Sequence, residues 1–231
     1  MSARPRIALV DYGMGNRRSV HKALEHVGAP VQTTSDAETI RAADGLVVPG
    51  VGAFPQAMRN LHALDLAPLI VERAREGVPV LGICLGMQLL FERSQELEPT
   101  DGLGLIEGEV TWLSTGGLRI PHIGWNEVVF ERPSALVNSL PSRGCAFYHV
   151  HSLAVRPARD EDVVATTTYG ERFATIVEHG SVLGVQFHPE KSSAHGLRML
   201  RSFVEMCAGR VSDPTARPAP PGAPSPAAVR A

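Results

Sequence analysis

In the first third of the chain, short apolar runs alternate with stretches whose apolar residues recur at helical spacing. Arg6 to Val10, Val31 to Thr34, Gly45 to Pro49 and Val78 to Ile83 read as strands, most of them apolar almost throughout. A strand that lacks polar alternation has both faces covered, as in a parallel sheet. Between the first two, Val20, Ala23, Leu24 and Val27 share one helical face, and Gly28 stops the helix. A further helical stretch begins at Ala53, and helical composition returns from Leu85 to Arg93. This alternation predicts an α/β fold: a flavodoxin-like doubly wound, mainly parallel sheet with helices on both faces.

From Gly104 the rhythm changes. Leu105 to Leu113, Arg119 to Phe130, Ala146 to Leu153, Val163 to Tyr169 and Phe173 to Glu178 read as strands with no long helix between them. That pattern predicts a smaller antiparallel sheet in the second half. Ser192 to Cys207 is a last amphipathic helix, with Leu197, Leu200, Phe203 and Val204 on one face. Beyond Gly209 the chain turns Pro- and Ala-rich. We therefore expect one domain over residues 1–210 and a disordered tail over 211–231, which has nothing to bury.

Composition narrows the function classes. A length of 231 residues suits one α/β domain with a substantial core. A net charge of −2, with no basic run, excludes a nucleic-acid surface. The apolar run after the basic N-terminus ends at Asp11, too short for a signal peptide. The most apolar window, Val78 to Phe91, is broken by glycines and Gln88, which excludes a membrane span. Cys84, Cys145 and Cys207 are odd in number and far apart, so a reducing, cytoplasmic setting is expected rather than a disulfide framework.

Cys84 stands between Gly82 and Gly86, where a buried strand passes into a helix. This is the pattern of a nucleophile elbow, with sulfur in place of the serine oxygen. Free N–H groups at the helix start favour thiolate and can hold an oxyanion. Gln88, four residues on, shares that helix face and offers a neutral amide to a small polar substrate. Gly184 to Lys191 supplies the partner chemistry. Pro189 pushes His188 towards an extended backbone, and in an extended run Glu190 faces the same side as His188. A carboxylate orienting a histidine that serves a cysteine is a generalised catalytic triad. The glycine-rich loop Pro49–Gly52 follows another strand and so falls on the same sheet edge, suited to a second oxyanion donor. Two weaker patterns carry less. Gly13 and Gly15 lack the third glycine of a dinucleotide loop, and His149 and His151 alternate like a metal pair without a third ligand at metal spacing.

Gly-Ile-Cys-Leu-Gly-Met-Gln, Pro-Gly-Val-Gly and Gln-Phe-His-Pro-Glu, in this order, resemble the class I (triad) glutamine amidotransferases from about Arg6 to Met206. More narrowly, Asp-Tyr-Gly-Met-Gly-Asn, Pro-His-Ile-Gly-Trp-Asn and His-Pro-Glu-Lys-Ser resemble the glutaminase subunits of imidazole glycerol phosphate synthases. The resemblance implies Cys84 as nucleophile, His188 as acid and base, and Glu190 as its orienting carboxylate. It further implies an oxyanion hole at Gly50, Val51, Gly52 and Leu85, with Gln88, His151 and Ser152 gripping glutamine. Asn16, Trp125, Tyr148 and Lys191 match positions near a partner interface. No cofactor and no metal is implied. The implied partner is a separate (β/α)₈-barrel cyclase subunit in a heterodimer, which takes the ammonia and makes imidazole glycerol phosphate and AICAR in histidine biosynthesis. The chain departs from the family at His149, where an aromatic residue is usual, and at Leu153, where a tyrosine is usual. Two other readings stay open from sequence: a paralogous subunit feeding another synthase, and a partner-binding module that kept the fold without the activity.

Overall fold

The computed structural model describes residues 4–209, so the expected tail over 211–231 lies outside the described residues. The first half runs β1 (Ile7–Val10), α1 (Arg17–His26), β2 (Val31–Thr34), α2 (Ala37–Arg41), β3 (Gly45–Val48), α3 (Phe54–Ala63), α4 (Leu66–Arg75), β4 (Val80–Ile83) and α5 (Leu85–Leu89). Then come β5 (Phe91–Ser94), β6 (Thr100–Asp101), β7 (Ile106–Trp112), β8 (His122–Phe130), β9 (Gly144–His151) and β10 (Leu153–Pro157). The chain closes with β11 (Val163–Tyr169), β12 (Glu171–His179), β13 (Val182–Val185) and α6 (Ser193–Cys207).

The parallel strands lie in the order β2-β1-β3-β4-β13, the doubly wound arrangement expected from the alternation. All four residues of β1, β3, β4 and β13 are buried, which is why these strands show no polar alternation. Successive side chains serve opposite cores. Ala8, Val10, Leu46, Val48 and Val80 pack with Phe54, Leu61 and Ile70 of α3 and α4. Ile7, Leu9, Val47, Leu81 and Ile83 pack instead with Val20 and Leu24 of α1 and with Leu200 and Phe203 of α6. Full burial of each Val, Leu, Ile or Phe among them contributes roughly 1.5–3 kcal/mol. Beyond β13 the pairing becomes antiparallel through β12, which carries β10 and β7 on one path and β11, β8 and β9 on another.

Two elements differ from expectation. The helix after Cys84 stops at Leu89 rather than Arg93, and Phe91–Ser94 forms β5, paired parallel with β7 and antiparallel with β6. Burial of Phe91 and Ser94, together with the bond from Gly102 N–H to Glu92 O at 2.8 Å, outweighs the helical preference of Glu92 and Arg93. The run Ala146 to Leu153 also divides at Ser152, because β9 pairs with β8 whereas β10 crosses to β7.

Candidate active site

Cys84 sits at φ 56° and ψ −112°, a backbone conformation that costs a side-chain-bearing residue roughly 1–3 kcal/mol. Its glycine neighbours explain how the turn closes. A Cβ on Gly86 would stand 1.8 Å from Val48 O, and one on Gly82 would stand 2.5 Å from Gly86 O. The elbow therefore presses directly on β3, and only hydrogen fits at either position. With five residues, α5 aligns little more than one turn of peptides, so the free N–H groups at its start matter more than a long dipole.

Cys84 opens on a cavity of about 260 Å³ that Val51, Gly52, Leu85 and Gln88 also line. His151, Ser152, His188 and Lys191 reach the same cavity. The structure thus gathers the expected nucleophile, base, loop and substrate-binding residues around one space. His188 Nδ1 lies 2.9 Å from Glu190 Oε1, with both side chains withdrawn from solvent. Glu190 does not reach the ring along an extended run as expected from spacing. It stands in a 3₁₀ turn over Pro189–Lys191, which brings the carboxylate back under the imidazole. Burial alone would lower the pKa of His188. Hydrogen bonds and charge from Cys84 and Glu190 outweigh it and push the imidazolium up to about 10. Cys145 and Cys207 are held as thiols instead: burial, before any neighbouring charge, pushes them up to about 11 and about 12.

The loop after β3 is braced from below. Tyr12 is fully buried, and its hydroxyl donates to Pro49 O at 2.5 Å. Burial, and then Cys84, raises its phenol above the ordinary value. A Cβ on Gly50 would stand 2.7 Å from Leu85 Cβ, so the loop and the elbow are in direct contact, while Gly52 takes φ 112°. Val51, 42% exposed, stands at the cavity edge.

The residues matched to an interface divide. Trp125 is 55% exposed on β8 and packs edge-on against Tyr148, its cross-strand partner on β9, at 6.1 Å between ring centres. Lys191 is exposed at the cavity. Asn16 instead turns inward, and its Nδ2 donates to Glu190 Oε1 at 3.3 Å. His149 and His151 face one side, but their four ring nitrogens are taken by Phe147 O, Thr175 Oγ1, Leu153 O and His122. Among the described residues no group of three or more metal-ligating side chains is placed to hold a metal.

Sequence reasoning missed four contributors. Glu96 lines the cavity and accepts from Phe54 N–H at 2.6 Å, bringing a carboxylate beside the site from a surface loop. Ser192 donates to His188 O at 2.7 Å and accepts from Tyr148 N–H at 3.0 Å, tying the histidine turn to β9. Gln186, fully buried, joins Gln88 to the Cys84 sulfur. His122 stands behind His151 at 3.0 Å. Gln186, His122 and Ser192 fall inside motifs visible in the sequence, whereas Glu96 does not, and no motif by itself says what the side chain touches.

Comparison with known proteins gives concordant findings. The model of a family described as Glutamine amidotransferase class-I matches residues 8–207. The imidazole glycerol phosphate synthase subunit HisH of Moorella thermoacetica is 51% identical over 200 residues, which are 87% of this chain and 94% of that protein. The subunit of the same name from Methanosarcina barkeri is 47% identical over 204 residues, 87% of this chain and 99% of that protein. Among solved structures, PurLQS from Thermotoga maritima superposes with a TM-score of 0.71 over 88% of this chain and 99% of that one, at 20% identity, a likeness of fold.

Proposed function

The chain belongs to the class I glutamine amidotransferase family, among the HisH subunits of imidazole glycerol phosphate synthase, and from that premise we propose that it hydrolyses glutamine at Cys84 and passes the ammonia to a separate cyclase subunit. The observation that carries the reading is the convergence of Cys84 and His188, the latter held by Glu190, on one cavity of about 260 Å³. Cys84 Sγ attacks the carboxamide carbon of glutamine, and the Leu85 N–H with a donor from Gly50–Gly52 stabilises the oxyanion. His188, held through Nδ1 by Glu190, protonates the departing ammonia. It then takes a proton from the water that cleaves the glutamyl thioester, and glutamate leaves. The carboxylate of Glu96 suits the α-ammonium group of an amino acid, with Gln88 and the His151–Ser152 backbone completing its grip.

Partnership is supported by exposed apolar residues. Ile123 and Trp125 stand out from β8 at 58% and 55% exposure, and Val51 and Ile120 lie at or beside the cavity edge at 42% and 43%. Such a patch fits burial against another chain, for which we propose a (β/α)₈-barrel cyclase that makes imidazole glycerol phosphate and AICAR. Among the described residues no helix is long and apolar enough to cross a membrane. A reducing cytoplasm would keep the three free cysteines as they are. The domain itself extends over residues 1–210 in this reading, which the family match over 8–207 supports.

The test compares ammonia release from glutamine by the chain alone, with the cyclase, and with the cyclase carrying its ligand. We expect a low rate alone and a large rise in the last case, because a partner that prefers the donor-competent arrangement of Pro49–Gly52 shifts the loop towards it. Equal rates in all three would remove partner gating, and no release in any would remove the glutaminase assignment.

A further inference from the structure

A line of hydrogen bonds runs from the surface of β8 to the nucleophile, and its polarity can be read from its two ends. At the outer end Asn126 Nδ2 donates to Thr168 O at 2.9 Å, and its Oδ1 accepts from Glu127 N–H, so the amide has one orientation. The same Nδ2 lies 3.2 Å from His122 Nε2, which must then be the acceptor nitrogen of a neutral ring. His122 Nδ1 therefore carries the proton and donates to His151 Nε2 at 3.0 Å. At the inner end Leu153 O can only accept, so His151 Nδ1–H donates to it at 2.8 Å. The two ends, fixed independently by carbonyl oxygens, demand the same tautomers.

Leu153 O also receives Gln88 Nε2 at 3.5 Å, and the second proton of that amide goes to Gln186 Oε1 at 3.1 Å. Gln186 Nε2 in turn points at Cys84 Sγ at 3.8 Å. Both protons of Gln88 are thus committed inward, which leaves its Oε1 as the atom offered to the cavity. An oxygen acceptor there selects a donor on the ligand, so it meets the ammonium end of an amino acid rather than the carboxylate end. His122 is 3% exposed and stacks on Tyr169 with ring centres 4.1 Å apart, so the ring is held while it donates. Burial keeps all three histidines of the cluster neutral: it lowers His122, and it brings His149 down to about 2 and His151 down to about 3.

We propose that His122 is a positioning residue that, by donating from Nδ1 to His151, holds the Leu153 carbonyl and so orients Gln88 with its oxygen towards the α-ammonium group of the substrate. The proposal rests on the glutamine reading for the identity of the ligand, whereas the tautomers stand apart from it. The first experiment is nitrogen-15 NMR of the histidine rings in the full chain. The expected result is protonation at Nδ1 in both His122 and His151, and a proton on Nε2 of His151 would overturn the relay. The second measures glutamine affinity by calorimetry on the Cys84→Ala background. His122→Phe keeps the stacking and removes the donor, and should weaken binding about tenfold, the size of one buried hydrogen bond. His122→Asn places an amide N–H near the position of Nδ1 and should restore most of the affinity. Unchanged affinity in His122→Phe, or an equal loss in both variants, would overturn the positioning role. If the chain bearing His122 bound no glutamine, the functional reading would fall, and the ring protonation pattern would still decide the relay.

Discussion

Replacing Glu190 by Gln keeps the shape of the side chain beneath His188 and removes its charge. In the wild-type chain the pair is 2.9 Å apart with 3% and 0% of the side chains exposed. Its gross attraction at an effective dielectric of about 20 is roughly 6 kcal/mol. Much of that is offset by desolvation, and a neutral amide oxygen still accepts from Nδ1, so the net change is smaller. Loss of an adjacent opposite charge moves a pKa by about 1–3 units, or roughly 1.4–4 kcal/mol of imidazolium stabilisation. Burial then acts on His188 with less opposition, and its pKa should fall by that amount from about 10. The same energy, lost from the imidazolium that must be charged when Cys84 attacks and that then protonates the departing ammonia, lowers turnover by about tenfold to a thousandfold.

The sign of the stability effect is also determined. A histidine raised from 6.5 to about 10 contributes stability that is full below pH 6.5 and lost as pH climbs through 10. The melting-temperature gap between wild type and Glu190→Gln should therefore be widest near pH 6 and close towards pH 10. The assay pairs an NMR titration of the His188 ring with melting curves across that window. A ring pKa that stays put in the variant, or a gap that widens with pH, would refute the reasoning.

Two further variants probe the supports around the site. Asn16→Ala removes a half-buried, 3.3 Å hydrogen bond to Glu190 and should lower turnover by roughly twofold to tenfold, less than Glu190→Gln; a wild-type rate would show that Asn16 does not help hold the carboxylate. Tyr12→Phe leaves Pro49 O without its buried donor and should cost about 1–3 kcal/mol, lowering the melting temperature by roughly 2–4 °C per kcal/mol; an unchanged melting temperature would contradict the bracing of the loop.

The parallel half of the fold was legible because its strands are buried on both faces and therefore read as unbroken apolar runs. The Cys84 elbow was legible for a related reason: close approach of backbone to backbone leaves room only for glycine, and Gly82 and Gly86 mark it. Phe91–Ser94 was not legible, since Glu92 and Arg93 favour a helix locally and only pairing with β6 and β7 makes them a strand. Side-chain partners separated by long stretches of chain were hidden for the same reason. Asn16 meets Glu190 across 174 positions and Gln88 meets Gln186 across 98, distances that no local pattern encodes. The proximity of His188 and Glu190 was read correctly from a spacing of two, but the 3₁₀ turn that achieves it was not.

The central claim is that Cys84 alone forms the covalent intermediate. Its most direct test mixes the full chain and the proposed cyclase partner with glutamine, quenches with acid during turnover, and maps the cysteine peptides by mass spectrometry. The account predicts a glutamyl adduct on Cys84 and none on Cys145 or Cys207, whose thiols burial holds protonated. It also predicts that Cys84→Ala retains less than about a thousandth of the wild-type ammonia release. An adduct on another residue, or substantial release by Cys84→Ala, would contradict it.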